Sequence, residues 1–319
     1  MSHIYIVSPS SAVRDKPAFR RGVARLKALG HAVELDPAAR THHQRFAGDD
    51  ETRLAALARA AASGADVVLI SRGGYGLTRL LERLPYKAIA RSIAQGCRWV
   101  GLSDFTALQL ALLAKTGATT WAGPAVGEDF GAEVEADGSP DMIMEACFDD
   151  LLEGHGEGAG WRLPAADLQA QPALADWMTP EATLWGGNLS VLCSLVGTPY
   201  LPAVQGGILF VEDVGEHPYR VERMFTQLLH AGVLGQQKAI VLGAFSGYKL
   251  VPGYDRGFGM PAVVSWLRSQ LKVPVLTGLP FGHVPTKVLL PVGQTVRLVV
   301  QGRDAMLLWA HGHDHDQED

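Results

Sequence analysis

The chain has 319 residues, with 28 Lys and Arg against 33 Asp and Glu for a formal net charge of −5. The charges are scattered rather than gathered into basic blocks, which argues against nucleic acid as a main partner. A hydrophobic share of 47% and a charged share of 19% match an ordinary soluble globular protein and exclude a disordered or fibrous chain. At roughly 100–200 residues per domain, the length predicts two domains or one domain with a large insertion. The longest apolar runs, such as Val67-Val68-Leu69-Ile70 and Ala111-Leu112-Leu113-Ala114, fall far below the ~20 residues that cross a bilayer. No membrane is therefore expected. Met1 leads directly into Ile4-Tyr5-Ile6-Val7, without the basic, apolar and small-residue regions of a secretory signal, so a cytoplasmic protein is expected. Three widely spaced cysteines, Cys97, Cys147 and Cys193, suit reduced, buried thiols better than a disulfide framework or a zinc site.

Residues 1–130 alternate β-branched runs with amphipathic stretches of helix length, the pattern of an α/β domain with a largely parallel sheet and flanking helices. Strands are predicted over 4–7, 32–35, 67–71 and 98–102, and helices over 18–29, 52–62 and 105–115. Gly30 ends the first helix, and Asp49, Asp50 and Glu51 mark the start of the second by complementing its dipole. Periodicity fades over 131–180, where Gly154, Gly156, Gly158 and Gly160 interrupt it, and a linker is expected there. A mixed, β-rich α/β domain is expected over 181–310, with strands at 207–213, 239–244 and 275–279 and helices at 219–229 and 261–271. Residues 287–309 read as mostly β, ending in a hairpin that turns at Gly302. The tail 311–319 carries His311, His313 and His315, which suits a metal ion or, more simply, a solvated end, and no metal or other cofactor is expected.

The most informative stretch is Gly101-Leu102-Ser103-Asp104-Phe105, where a strand breaks into a helix at a serine. Ser103 is either an N-cap, with Asp104 complementing the helix dipole, or a nucleophile at the carboxyl end of a parallel strand. The turn departs from Gly-x-Ser-x-Gly at Phe105, so an ordinary α/β-hydrolase is not indicated. A serine nucleophile needs a base, and the base needs an orienting group. His283 in the Gly282-His283 loop and Glu212 at the end of Ile208-Leu209-Phe210-Val211 are candidates; a loop imidazole is more often structural or exposed, whereas a carboxylate ending an apolar strand points to a site unless it caps the following helix. Glycines in Arg72-Gly73-Gly74-Tyr75-Gly76 permit positive φ and close approach but do not form a dinucleotide fingerprint. An exposed Gly74 N–H facing Ser103 would donate to an oxyanion. Trp185-Gly186-Gly187-Asn188-Leu189 reads as another glycine turn, either a plain connection or a cleft wall.

Five motifs in this order, Ser71-Arg72-Gly73-Gly74-Tyr75-Gly76, Gly101-Leu102-Ser103-Asp104, Leu184-Trp185-Gly186-Gly187-Asn188-Leu189, Val211-Glu212-Asp213 through Arg220, and Gly278-Leu279-Pro280-Phe281-Gly282-His283, resemble the L,D-carboxypeptidases of murein recycling. The resemblance spans nearly the whole chain. It implies a Ser–Glu–His triad of Ser103, Glu212 and His283, oxyanion amides from Gly74 and Asp104, and a cleft between the two domains. It also implies release of the terminal D-Ala from the tetrapeptide L-Ala-D-Glu-diaminopimelate-D-Ala, and a homodimer. Arg72 and Arg220 would suit the substrate carboxylate through bidentate pairing, with Tyr75, Trp185 and Asn188 as further contacts; an intrahelical partner such as Glu216 is the alternative for Arg220. A related branch resembles microcin C self-immunity peptidases, which cleave aminoacyl-nucleotide amides. The rival from another class is a non-catalytic muropeptide-binding protein on the same scaffold.

Overall fold

The computed structural model describes residues 1–133 and 140–309. The chain enters through β1 (His3–Val7) and α1 (Lys16–Ala28), where the Asp15 carboxylate accepts the Ala18 N–H as a cap and Phe19, Val23 and Leu26 bury one face at helical spacing. β2 (Ala32–Leu35) follows, and then α2 (Asp50–Ala62), capped by Asp49 with Asp50 and Glu51 in its first turn. β3 (Val67–Ile70) is buried at all four positions, as a strand covered on both faces should be. α3 (Tyr86–Ala94), β4 (Arg98–Gly101), α4 (Thr106–Thr116) and β5 (Thr120–Ala122) complete this half. β1 to β5 pair in parallel in the order β5-β4-β3-β1-β2.

The stretch 131–180, expected as a linker, holds α5 (Met142–Glu153), β6 (Gly158–Arg162), α6 (Ala165–Ala170) and β7 (Asp176–Met178). The rest of the chain forms β8 (Ala182–Asn188), α7 (Leu189–Ser194), β9 (Ile208–Val214), α8 (Pro218–His230), β10 (Ala239–Ser246), α9 (Met260–Gln270), β11 (Val275–Leu276), β12 (Leu290–Val292), β13 (Thr295–Gln301) and β14 (Asp304–Leu308). An eight-stranded mixed sheet runs β11-β10-β9-β8-β13-β14-β6, with β7 beside β13. β8 to β11 are parallel, and β13, β14, β6 and β7 are antiparallel. The expected hairpin is therefore β13–β14 around Gly302 at φ 58°. The strand expected over 275–279 stops at Leu276, because the chain turns away through Gly278 at φ 83°.

One connection matters for the site. β12 leaves the second sheet's half of the sequence and adds antiparallel to β5, making the first sheet six-stranded. The segment between β11 and β12 must therefore cross from one sheet to the other, and His283 lies on that crossing. Leu108 and Leu112 of α4 share one core with Leu184, Leu189 and Leu192 of β8 and α7, so the two halves meet in apolar contact beside the crossing. No helix among the described residues is long and apolar enough to cross a membrane. The histidine-bearing tail lies outside the described residues.

Candidate active site

Ser103 follows β4 at φ 63°, one of two non-glycine residues at positive φ among the described residues. An L side chain in the left-handed region costs about 1–3 kcal/mol, and such outliers gather at functional turns. Gly101 leaves no room for a Cβ, which would lie 2.7 Å from Phe105 and 2.8 Å from Ile70, and Phe105 tucks under the turn fully buried. No side chain caps this turn or α4, so the hydroxyl of Ser103 is not spent on the helix start and the simple N-cap reading fails. Asp104 lies in the first turn, where its charge complements the dipole. Its buried carboxylate accepts the Leu77 N–H at 2.8 Å and ties the serine turn to the glycine loop. Burial raises the Asp104 pKa, and the hydrogen bond from Leu77 opposes that.

The glycine loop at the end of β3 lies directly against the serine. A Cβ on Gly73 would sit 2.6 Å from Ser103 Cβ and 2.8 Å from its Oγ, so only glycine fits. Gly74, at φ 103°, presses on Ser11, whose hydroxyl accepts the Tyr75 N–H at 3.0 Å. Below the loop, the fully buried Arg53 donates to the carbonyls of Pro9 and Gly76 and pairs with Asp50. The loop thus has a buried cationic floor, which no local sequence motif marks.

Glu212, at the end of β9, is completely buried, and its Oε2 lies 2.8 Å from His283 Nδ1. This contact leaves Nε2 as the outward nitrogen of the ring. Burial alone would lower the imidazole pKa, but the hydrogen bond and negative charge of Glu212 outweigh it and the net shift is upward. Gly282, at φ 137°, lets the loop approach: its Cβ would meet Glu212 Oε2 at 3.0 Å. Asn188 Nδ2 donates to Glu212 Oε1 at 3.1 Å and to Asp213 Oδ1 at 3.0 Å, while its Oδ1 caps α7 by accepting the Val191 N–H. The Asn188 N–H in turn donates to Thr106 Oγ1 at 3.0 Å, three residues after Ser103. A continuous chain of side-chain and backbone contacts therefore runs from the start of α4 through Asn188 and Glu212 to His283.

Leu102, beside the serine, and His283 line the same cavity of about 380 Å³, together with Glu128, Asp129, Asp141 and Lys287. Among the described residues no hydrogen bond joins Ser103 Oγ to the imidazole; such contacts often tighten only when substrate occupies the site. Glu128 also lines an adjoining cleft of about 790 Å³ with Arg14, Arg21 and Arg72. Arg72 reaches Glu128 at 3.3 Å, and Arg21 donates to the Gly131 carbonyl. Tyr75 is exposed, with its ring beside Phe46 and Arg45.

Two expected substrate contacts are placed differently, and Arg220 takes the alternative partner expected for it. Trp185 is 1% exposed and donates its indole N–H to Gln237, so it is a core residue of β8 rather than a cleft wall. The glycines after it are strand, not turn, and allow β8 to close on its neighbours: a Gly186 Cβ would lie 1.8 Å from the Phe210 carbonyl oxygen, and a Gly187 Cβ 2.5 Å from Thr106 Oγ1. Asn188 is buried with its amide fully engaged, which makes it an orienting residue for Glu212. Arg220 is exposed on α8 and reaches Glu216 at 3.6 Å and the Tyr219 hydroxyl at 3.2 Å.

Comparison with known proteins fits this arrangement. A family model described as the LD-carboxypeptidase N-terminal domain matches residues 4–123, and one described as the LD-carboxypeptidase C-terminal domain matches residues 181–298. A Synechocystis protein named as a carboxypeptidase is 33% identical over 92% of this chain and 90% of its own length. The murein tetrapeptide carboxypeptidase of Pseudomonas aeruginosa is 28% identical, covering 92% of each chain. Among solved structures, the muramoyltetrapeptide carboxypeptidase of Oxalobacter formigenes aligns with a TM-score of 0.84 at 40% identity, over 97% of this chain and 99% of that one. The microcin C7 self-immunity protein shares the fold, with a TM-score of 0.82 at 24% identity over 97% of this chain and 96% of that one. With the fold, both domain models and full-length relatives in agreement, this chain belongs to the LD-carboxypeptidase family of peptidases.

Proposed function

We propose that this protein is a serine L,D-carboxypeptidase that releases the terminal D-Ala from the murein tetrapeptide L-Ala-D-Glu-diaminopimelate-D-Ala. The observation that carries the reading is the buried Glu212 carboxylate on His283 Nδ1, at a cavity that begins beside a serine held at positive φ. In this mechanism His283 Nε2 takes the proton of Ser103, and the alkoxide attacks the carbonyl of the L-centre of diaminopimelate. The N–H groups of Gly74 and Asp104 donate to the oxyanion that forms. The imidazolium then gives its proton to the amine of D-Ala, which leaves. Water, activated by the same imidazole, hydrolyses the acyl-enzyme and restores the serine.

Substrate choice is read from charge. The cleft holding Arg14, Arg21 and Arg72 adjoins the site in a chain whose net charge is −5, and a murein tetrapeptide carries several carboxylates that guanidinium groups can pair bidentately. Tyr75 offers an exposed ring at the rim of the glycine loop. The family resemblance adds cytoplasmic murein recycling and a homodimer to the proposal. Cleavage of aminoacyl-nucleotide amides is the second reading, supported by a 27% identical microcin C7 self-immunity protein of Escherichia coli that covers 71% of this chain.

The test is a substrate comparison at neutral pH. Free D-Ala should appear from the tetrapeptide, and no adenosine product from aspartyl sulfamoyl adenosine. The reverse pattern transfers the site to the second reading. Turnover of neither, with tetrapeptide binding retained, makes the protein a binder.

A further inference from the structure

The segment that carries the base is tied to both halves of the molecule, and its second tie is a buried charge pair. On the side of the second sheet, Ser246 Oγ donates to the His283 carbonyl at 3.1 Å, Ala244 N–H donates to the Phe281 carbonyl, and Glu212 holds the ring. On the opposite side, Lys287, 2% exposed, places its ammonium on the Asp129 carboxylate, and Thr286 donates its hydroxyl to Asp141. Asp129 is itself fixed, since its other oxygen accepts the Ala125 N–H at 2.7 Å. It lies in the wide turn Val126–Phe130 after β5, where Gly127 N–H donates to the Ser71 carbonyl at 3.0 Å, at the root of the glycine loop. Asp141 caps α5 through the Met144 N–H. Nothing in the proposed reaction uses Lys287, Asp129, Thr286 or Asp141, yet all but Thr286 line the cavity with His283.

A buried ion pair is a poor source of net stability compared with well-packed apolar residues, because both ions lose their water. Its distinctive property is directional: ammonium and carboxylate fix the separation of the two segments that hold them. We propose that Lys287 and Asp129, backed by Thr286 and Asp141, are positioning residues that lock the His283 segment to the turn beneath the glycine loop and so set the imidazole against Ser103. This rests on the peptidase reading for its consequence, but the geometry of the strut is independent of it. The charges facing the imidazole are Glu212 from β9, Glu128 from the wide turn and Lys287 from its own segment; the two carboxylates favour the protonated ring and the ammonium opposes it.

The experiment is the paired substitution Lys287→Met with Asp129→Asn, which removes both ions and leaves no charge unpartnered. The double variant should melt close to the native protein. Its kcat for D-Ala release should fall on the order of tenfold to a hundredfold while KM stays within about twofold, the signature of a misplaced catalytic group rather than lost binding. The hydrogen bond between His283 Nδ1 and Glu212, followed through its proton resonance by NMR without substrate, should be weaker than in the native protein. A folded double variant with native kcat, or with a native Nδ1–Glu212 proton resonance, overturns the proposal. If the double variant does not fold, Thr286→Val loosens the same segment more gently and should lower kcat several-fold at unchanged KM; native kcat there overturns the proposal equally. Should the native protein release no D-Ala, the peptidase reading fails, and the Nδ1–Glu212 proton resonance still decides the strut.

Discussion

The serine turn and the histidine segment reach one cavity by opposite means. The turn is built from local backbone: Ser103 stands at positive φ just after β4, and Gly73 gives it room from the next strand end. The histidine segment has little local structure, and its position is set by side chains between 37 and 158 residues away in sequence, among them Ser246, Glu212, Asp141 and Lys287's partner Asp129. A nucleophile can be presented by a strained backbone because it must only be exposed in the right direction. A base must be held in distance, orientation and tautomer together, which requires partners on several sides.

That contrast is sharpened most by removing the partner that orients the base. Glu212→Gln should reduce turnover by roughly a hundredfold to ten-thousandfold while leaving the Ser103 turn intact, since an amide in this position supports the wrong tautomer. It should also move the acid limb of activity below the native one, because burial then acts on the imidazole without the opposing carboxylate. The sign for stability is the opposite of that for activity. With its folded pKa raised, His283 stabilises the fold below the unfolded value of about 6.5 and loses that contribution as pH rises through the folded value. In the proposed mechanism activity needs the neutral ring and should rise over the same window. Melting temperatures of the native protein and Glu212→Gln across this window should converge as pH rises; a constant difference contradicts the assignment.

The backbone side of the comparison is probed at Gly73. Gly73→Ala places a methyl 2.6 Å from Ser103 Cβ, so activity should drop on the order of a hundredfold through displacement of the nucleophile. Native D-Ala release by this variant would mean that the serine is not in place. A smaller effect is expected at Asn188→Ala. Loss of its amide removes one donor from Glu212 and the cap of α7, costing about 1 kcal/mol for the cap and about tenfold in turnover, both readable from a melting curve and a rate. Least is expected from Gly30→Ala, where φ is 91° but nothing lies within 4 Å of a Cβ. It should cost about 1–2 kcal/mol from backbone strain alone and leave turnover unchanged, separating strain from site geometry.

The same contrast explains what could be read from the sequence. The parallel half was legible because its strands are short apolar runs with polar helix caps beside them, as at Asp49 for α2. The serine turn was legible because a strand that breaks at Ser-Asp is a local signal. α5 was not, although Met144, Phe148 and Leu151 are spaced to bury one face, because Gly154, Gly156, Gly158 and Gly160 directly after it break the periodicity of the stretch. β6 hides its alternation behind glycines in the same way. Trp185 was misplaced because Gly186-Gly187 reads as a turn, whereas the glycines serve close approach between β8, β9 and α4. Lys287 and Asp129 left no signal at all, since a pairing across 158 residues has no local pattern.

The central claim, that one site joins the strained serine of the first half to the Glu212–His283 pair of the second, is tested most directly by D-Ala release from the diaminopimelate tetrapeptide with the native protein and with Ser103→Ala. The account predicts release by the native protein, a loss of more than about a thousandfold in the variant, and a melting temperature almost unchanged between them. Comparable release by both would contradict it, because the hydroxyl would then not be the nucleophile.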